Sequence, residues 1–273
     1  MIEMIYHLNT PVSVALLADL HGRPFDSVIS SLTEHKPEII CIAGDILYGS
    51  HPLDDRSPLE TQEHVLPFLR SCVSLAPTYL SLGNHEWMLD EDDLQTIAST
   101  GVTILDNNWV TITVDDRDIV LAGLTSAYVT DYRRFVDAMD PAERAGNRYP
   151  RKNTIRGIGG LTTASEHVPE TAWLSDFAAQ SGFKIIISHH PEYITLIPES
   201  VELVCSGHGH GGQWSYYSFK RKRMCGLFAP GQGWFPKYTK GLYENRLIVS
   251  AGLSNTARVP RLFNPTEIVY INC

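Results

Sequence analysis

Short apolar, β-branched runs recur along the chain, and most stop abruptly at Gly, Asp, Asn or His. The clear ones are residues 12–18, 38–43, 78–82, 119–124, 184–188, 201–205, 247–251 and 267–271. Runs of that length with polar punctuation read as buried strands that end in loops. Between several of them lie helix-like stretches at 26–35, 61–74, 90–100 and 169–180. Strands alternating with helices predict an α/β layered fold. Residues 109–114 and 119–124, joined by the turn-like Asp115-Asp116-Arg117-Asp118, read as a hairpin, so some antiparallel sheet is mixed in.

Composition narrows this to one ordinary globular domain over residues 1–273. The chain is 43% hydrophobic and 19% charged and has no repeat, low-complexity tract or linker to split it. A formal charge of −9 argues against a surface that tracks duplex nucleic acid. Two segments run against that balance. Residues 126–160 carry seven basic residues against four acidic ones and read either as a lid or binding loop or as a solvated insertion. Lys220-Arg221-Lys222-Arg223 is either a second anion-binding element or a solvated charge run. Five cysteines without a C-x-x-C pair predict neither a disulfide framework nor a zinc ribbon, which fits a reducing compartment. The early apolar run at 12–18 is far shorter than the roughly 20 residues that span a bilayer, and no secretory signal precedes it. The expectation is a cytoplasmic protein without a membrane segment.

The residues that follow the strands carry the chemistry. They are Asp19-Leu20-His21, Gly44-Asp45, Gly83-Asn84-His85-Glu86, His189-His190-Pro191 and Gly207-His208-Gly209-His210-Gly211-Gly212. Asp, His and Asn bind divalent metals of intermediate hardness, and the carboxyl ends of strands in α/β sheets are the usual ligand crevice. Asp19 and His21, like His208 and His210, sit two apart, so in extended chain both can reach one ion. Each piece alone has a bland reading: a turn, a helix cap, or a glycine-rich loop with exposed histidines. Five together, each at a strand end, do not.

This ordered set resembles the calcineurin-like metallophosphoesterase superfamily, from about the first strand to the last. The glycine-histidine loop and the tail around residues 241–253 resemble its bacterial branch of YkuE-like phosphodiesterases and UDP-diacylglucosamine pyrophosphohydrolases. Protein phosphatases of the superfamily carry Arg before Gly-Asn-His-Glu, where this chain has Leu82. The resemblance implies a four-layer α/β/β/α sandwich of two mixed sheets. It implies that Asp19, His21, Asp45 and His210 hold one divalent ion and that Asp45, Asn84, His189 and His208 hold a second, with Asp45 bridging. Two such ions, Mn, Fe or Zn, roughly 3.5 to 4 Å apart, would clamp a phosphoryl group and supply hydroxide. His85 is then the catalytic acid, with Glu86 orienting it, while His190 lines the pocket. The implied activity is hydrolysis of a phosphodiester or phosphomonoester in a small phosphorylated substrate. A nuclease, a nucleotide or UDP-sugar pyrophosphohydrolase, and a non-catalytic metal-binding scaffold are the alternatives. Arg133 and Arg134 are candidate substrate contacts, with Tyr128, Tyr132, Phe135 and Tyr149 available to stack on a base or sugar.

Overall fold

A computed structural model describes residues 1–48, 56–144, 168–220, 222–255 and 260–272. Two six-stranded mixed sheets form its centre. The first contains β1 (Ile2–His7), β2 (Val14–Leu17), β3 (Ile39–Ala43), β4 (Thr78–Ser81), β5 (Thr103–Ile104) and β16 (Glu267–Asn272). Their spatial order is β1-β16-β2-β3-β4-β5, parallel at every pair except β16 with β2. The second contains β6 (Asn108–Val114), β7 (Arg117–Leu124), β8 (Phe183–Ser188), β9 (Leu203–Ser206), β14 (Gly241–Tyr243) and β15 (Leu247–Val249). Its order is β14-β15-β9-β8-β7-β6, antiparallel only at the two outer pairs. Two small ribbons, β10 (Ser215–Ser218) with β11 (Arg223–Gly226) and β12 (Phe228–Ala229) with β13 (Gly233–Trp234), stand beside the sheets.

Alternation along the strands explains why two sheets stack. Val14, Leu16, Ile39, Cys41, Ile119, Leu121, Ile185 and Ile187 face the space between the sheets. Their neighbours Ala15, Leu17, Ile40 and Ile42 face the opposite side of the first sheet, and Val120, Ala122 and Ile186 that of the second. Both faces of the central strands are therefore buried, which is why they read as continuous apolar runs rather than alternating ones. Each fully buried Leu or Ile contributes about 2 kcal/mol. The outer face of the first sheet is covered by α1 (Asp26–His35), α3 (Val65–Leu75), α4 (Glu91–Ala98) and α5 (Ala127–Asp137), with α2 (Pro58–Thr61) alongside. The outer face of the second meets α7 (Leu174–Ala178) and a 3₁₀ turn, Pro191–Thr195; α6 (Pro141–Arg144) follows α5. This is the four-layer α/β/β/α sandwich.

Local chemistry sets the boundaries. Asp90 and Asp93 close a reciprocal cap on α4, the Asp93 N–H donating to Asp90 Oδ1 at 2.9 Å. The β6–β7 hairpin turns on Asp115 and Asp116 alone, both at positive φ (47° and 61°), as a two-residue turn matching the strand twist requires. Four expectations change. The helix at 169–180 contracts to Leu174–Ala178. β1 was not expected, because its residues alternate between exposed and half-buried and give no apolar run. The start of the basic segment is no insertion: Ser126 caps α5, and its Val129 and Tyr132 are buried in the core beneath the first sheet. Tyr132, edge-on to Trp87 at 4.6 Å, and Phe135, packed against the same core, are thereby withdrawn from substrate stacking. The rest of the segment, from 145 on, with Arg148, Tyr149, Arg151, Lys152 and Arg156, lies outside the described residues. No helix among the described residues is long and apolar enough to cross a membrane.

Candidate metal centre

The parallel strands of both sheets end side by side, and their last residues deliver the polar side chains. β2 leads into Asp19 and His21, β3 into Asp45, β4 into Asn84 and His85, β8 into His189, and β9 into His208 and His210. Backbone bonds stitch these ends together: the Asp19 N–H donates to Gly44 O (3.1 Å), that of His21 to Asp45 O (3.0 Å), and that of Gly207 to His189 O (3.1 Å). The price is backbone strain. Asp19, His21, Asp45, His208 and His210 all sit at positive φ, between 43° and 62°. Non-glycine residues adopt that region rarely, and such outliers cluster at functional sites.

The side chains converge. His210 Nε2 lies 3.5 Å and His21 Nε2 3.8 Å from Asp19 Oδ1, and His21 Nε2 is 3.9 Å from Asp45 Oδ2. On the other side of Asp45, His189 Nε2 is 3.2 Å from Oδ2, and His208 Nδ1 is 3.2 Å from His189 Nε2. Two ligand atoms each about 2.0 to 2.2 Å from one ion lie at most about 4.4 Å apart, so these separations suit coordination. Two nests contain the expected ligands, Asp19-His21-His210 and Asp45-His189-His208, with Asp45 also close to His21 and His85; a further group, His190-Glu192-His208, adjoins the second. Both oxygens of Asp19, Nε2 of His21 and Oδ1 of Asn84 are buried and have no hydrogen-bond partner. Buried polar atoms are nearly always satisfied, and a divalent cation is the partner that this mixed N/O set fits.

Protonation follows the same logic. Leu47 O accepts from His21 Nδ1 (3.0 Å) and Ala43 O from His189 Nδ1 (2.6 Å), so Nε2 is the nitrogen that each ring turns toward the carboxylates and would offer to an ion once free of a proton. Burial holds His21, His208 and His210 below the ordinary imidazole range, with neighbouring His85 adding to the effect on His21 and His190 to that on His208. Burial alone would lower His189 too, but the charge and hydrogen bond of Asp45 outweigh it and raise it to about 10. A cation between the two would displace that proton.

The neighbouring residues differ partly from expectation. His85 is the open member, with 26% of its side chain exposed; its N–H donates to Asp45 Oδ1 (2.8 Å), and its Nε2 lies 3.6 Å from Asp45 Oδ2. Glu86 does not orient it. The Asn84–Met88 3₁₀ turn points the Glu86 carboxylate inward, where it accepts from the N–H groups of Gly83 (2.7 Å), Asp45 (2.8 Å) and Leu47 (3.1 Å) and ties two loops together. His190 points away from Asp45, its Nε2 2.7 Å from Ser126 Oγ and Tyr128 stacked on its ring. Arg133 is ion-paired with Asp106 (2.7 Å) and Arg134 with Glu170 (2.8 Å), so a substrate anion would compete with those carboxylates.

Sequence reasoning missed a second layer. Ser254 Oγ donates to Asp19 O (3.0 Å) and Asn264 Nδ2 to His210 O (2.7 Å). Arg261 Nη2 approaches His210 Nδ1 at 3.1 Å and donates to Ser254 O at 2.5 Å. These residues lie in a stretch without periodicity or motif, and no local pattern marks them.

The profile of the calcineurin-like phosphoesterase family matches residues 12–212. A Caenorhabditis elegans protein designated a metallophosphoesterase is 27% identical over 270 residues, covering 95% of this chain and 48% of that one. An uncharacterized Campylobacter jejuni metallophosphoesterase is 24% identical over 98% of this chain and 60% of its own length. Phosphodiesterase YaeI of Escherichia coli is 29% identical over 123 residues, 41% of this chain and 43% of that one. The chain thus spans between about half and three fifths of the relatives that match it end to end.

Proposed function

The chain belongs to the calcineurin-like phosphoesterase family, and from that premise we propose that it is a dinuclear-metal-dependent phosphoric ester hydrolase that acts on a small phosphodiester. The observation that carries this reading is the set of buried, unpartnered atoms on Asp19, His21 and Asn84, at the strand ends that also bring Asp45, His189, His208 and His210 into groups of metal-ligand spacing. Asp19, His21 and His210 with Asp45 would hold one ion, and Asn84, His189 and His208 with Asp45 the other. When bound, ions there would supply Lewis acidity toward a phosphoryl oxygen and make hydroxide available at neutral pH.

The chain's own residues do the rest. Asp45 lies between the two nests and holds both His189 and the loop of His85. His85 is anchored through its backbone while its ring stays open to solvent, so it can carry a proton to the leaving oxygen as that bond breaks. Glu86 takes up the loop N–H groups and keeps Asp45 and Gly83 in register. YaeI's designation as a phosphodiesterase supports a diester over a monoester. The reducing compartment that we favour, the cytoplasm, accords with the free Cys41, Cys72, Cys205 and Cys225.

The test is hydrolysis of bis-p-nitrophenyl phosphate by protein stripped of metal and reloaded with Mn, Fe or Zn. His85→Ala is expected to lower kcat by about 10²- to 10⁴-fold with metal content unchanged. Reloaded protein that carries its ions yet hydrolyses no nucleotide, cyclic nucleotide, UDP-sugar or phospholipid head group would overturn the reading.

A further inference from the structure

Apart from Val168 (61% exposed), the most exposed large apolar side chains fall in one stretch. Phe219 (85% exposed), Phe263 (73%), Trp234 (67%), Phe235 (63%), Leu262 and Tyr217 all fall between residues 214 and 263. Single exposed apolar residues need no explanation, but a contiguous set marks an interaction surface. On and around the two ribbons they meet in pairs. Leu262 bridges to Trp214 at the root of the β10–β11 ribbon, and the Tyr216 ring lies 6.4 Å from Phe235. Tyr217 lies 5.3 Å from Phe219, and Trp234 lies 5.5 Å from Phe228. A two-stranded ribbon is marginal by itself; this one is anchored by the Ser215 N–H donating to Leu262 O (2.9 Å) and that of Leu227 donating to Trp214 O (2.8 Å).

Basic residues outnumber acidic ones in the same stretch of sequence: residues 214–263 hold nine against Glu244 alone. Of these, Lys237 pairs with Glu244 (3.1 Å), Arg246 donates to the Pro198 carbonyl (2.7 Å) and Arg261 turns inward to His210 (3.1 Å), which leaves the ribbon's own lysines to face outward. Lys220 and Lys222 flank the ribbon's turn, both exposed, and among the described residues neither has a carboxylate within 4.0 Å. Arg221, between them, lies outside the described residues.

We infer that this aromatic ridge with its cationic tip is a docking surface for an anionic lipid bilayer. Phe and Trp rings enter the head-group region, where an apolar body and a wet boundary coexist. Each basic residue close to an anionic leaflet strengthens binding about fivefold. The acidic remainder of the molecule is repelled by the same leaflet, so the charge asymmetry turns the ridge toward the lipid. The rings flank a clustered cationic tip, whereas a single-stranded nucleic acid would call for a groove with cations spaced along it. The contact inferred is one of the ridge with the head-group region. The ribbon leaves the loop of His208 and His210 just after Gly212, so ridge and metal centre share one short stretch of chain. The inference goes beyond the hydrolase reading and is tested without turnover.

The experiment is sedimentation of the full chain with vesicles of phosphatidylcholine alone and of phosphatidylcholine with phosphatidylglycerol, beside a single-stranded oligonucleotide-binding assay. The expected result is binding to the anionic vesicles that weakens with salt and falls about tenfold or more in Phe219→Ser/Trp234→Ser, with the thermal midpoint and metal content of the double variant unchanged. Single variants at the same positions, each with a smaller loss, replace the double variant if it fails to fold. No sedimentation with either vesicle, equal binding to both, binding that survives the substitutions, or capture of the oligonucleotide without vesicle binding would each overturn it.

Discussion

Asp19 is fully buried with both carboxylate oxygens unpartnered, an arrangement that costs about 1 to 3 kcal/mol until something binds. Asp19→Asn should therefore raise the melting temperature of metal-free protein, because the new amide can donate to the imidazole nitrogens beside it. In metal-loaded protein the same change should lower it. Calorimetry of both forms checks the reversal, and a shift of one sign in both would contradict the metal reading. Glu267 gives a second residue-scale prediction. Burial raises its pKa above the ordinary value, opposed by the Ala251 N–H that donates to it (2.8 Å) and by nearby Lys240 and Arg261. A carboxyl whose folded-state pKa is raised loses stability as pH climbs from the unfolded value through the folded one. Glu267→Gln keeps the acceptor and removes that loss, so its advantage over the parent in urea melts should grow as pH climbs above about 4, the ordinary carboxylate value. The ligand candidates were legible in the sequence because each directly follows an apolar strand. The inward turn of Glu86 and the approach of Arg261 to His210 were not, since both depend on loops that meet only in three dimensions.

Elements were legible where burial wrote a pattern. β2, β3, β4, β7 and β8 are covered on both faces and appeared as unbroken apolar runs, and α1 was read to its residue limits. β1 and the two ribbons were invisible, one because its faces are half wet and the others because they are two to four residues long. α5 was hidden by its charges: Arg133 and Arg134 lie on the outer side of a helix whose Val129 and Tyr132 are buried. Gly83 shows how tightly the strand ends are packed, for a Cβ there would collide with Asp45 Oδ1 and lie 2.7 Å from Asp45 N. Gly83→Ala should therefore push Asp45 out of place, destabilise the fold by about 2 kcal/mol or more and lower bound metal. Chemical melts with elemental analysis read both effects, and a variant that keeps full metal content would refute the close-packing argument.

At the scale of the molecule, the centre joins two sheets that elsewhere meet mainly through apolar packing and a few hydrogen bonds, such as the Ser126 N–H to Leu82 O (2.9 Å) and the Ala251 N–H to Glu267 Oε1 (2.8 Å). Asp19, His21, Asp45 and Asn84 come from the first, while His189, His208 and His210 come from the second. Ions bound there would act as a clasp between them, and at about 100 times the dissociation constant one site would add about 2.7 kcal/mol. Chelation should lower the melting temperature by about 5 to 10 °C for a chain of this size, and Asp45→Asn should abolish most of that difference; equal midpoints with and without chelator would argue against the clasp. β16 has a consequence of another kind. It lies between β1 and β2, whose residues precede it by about 250 positions. A nascent chain that has not yet yielded residues 267–272 must therefore hold β1 apart from β2, with both edges unpaired. During synthesis the first sheet stays open until the closing strand arrives, and that interval is when the molecule is most exposed to pairing with the wrong neighbour.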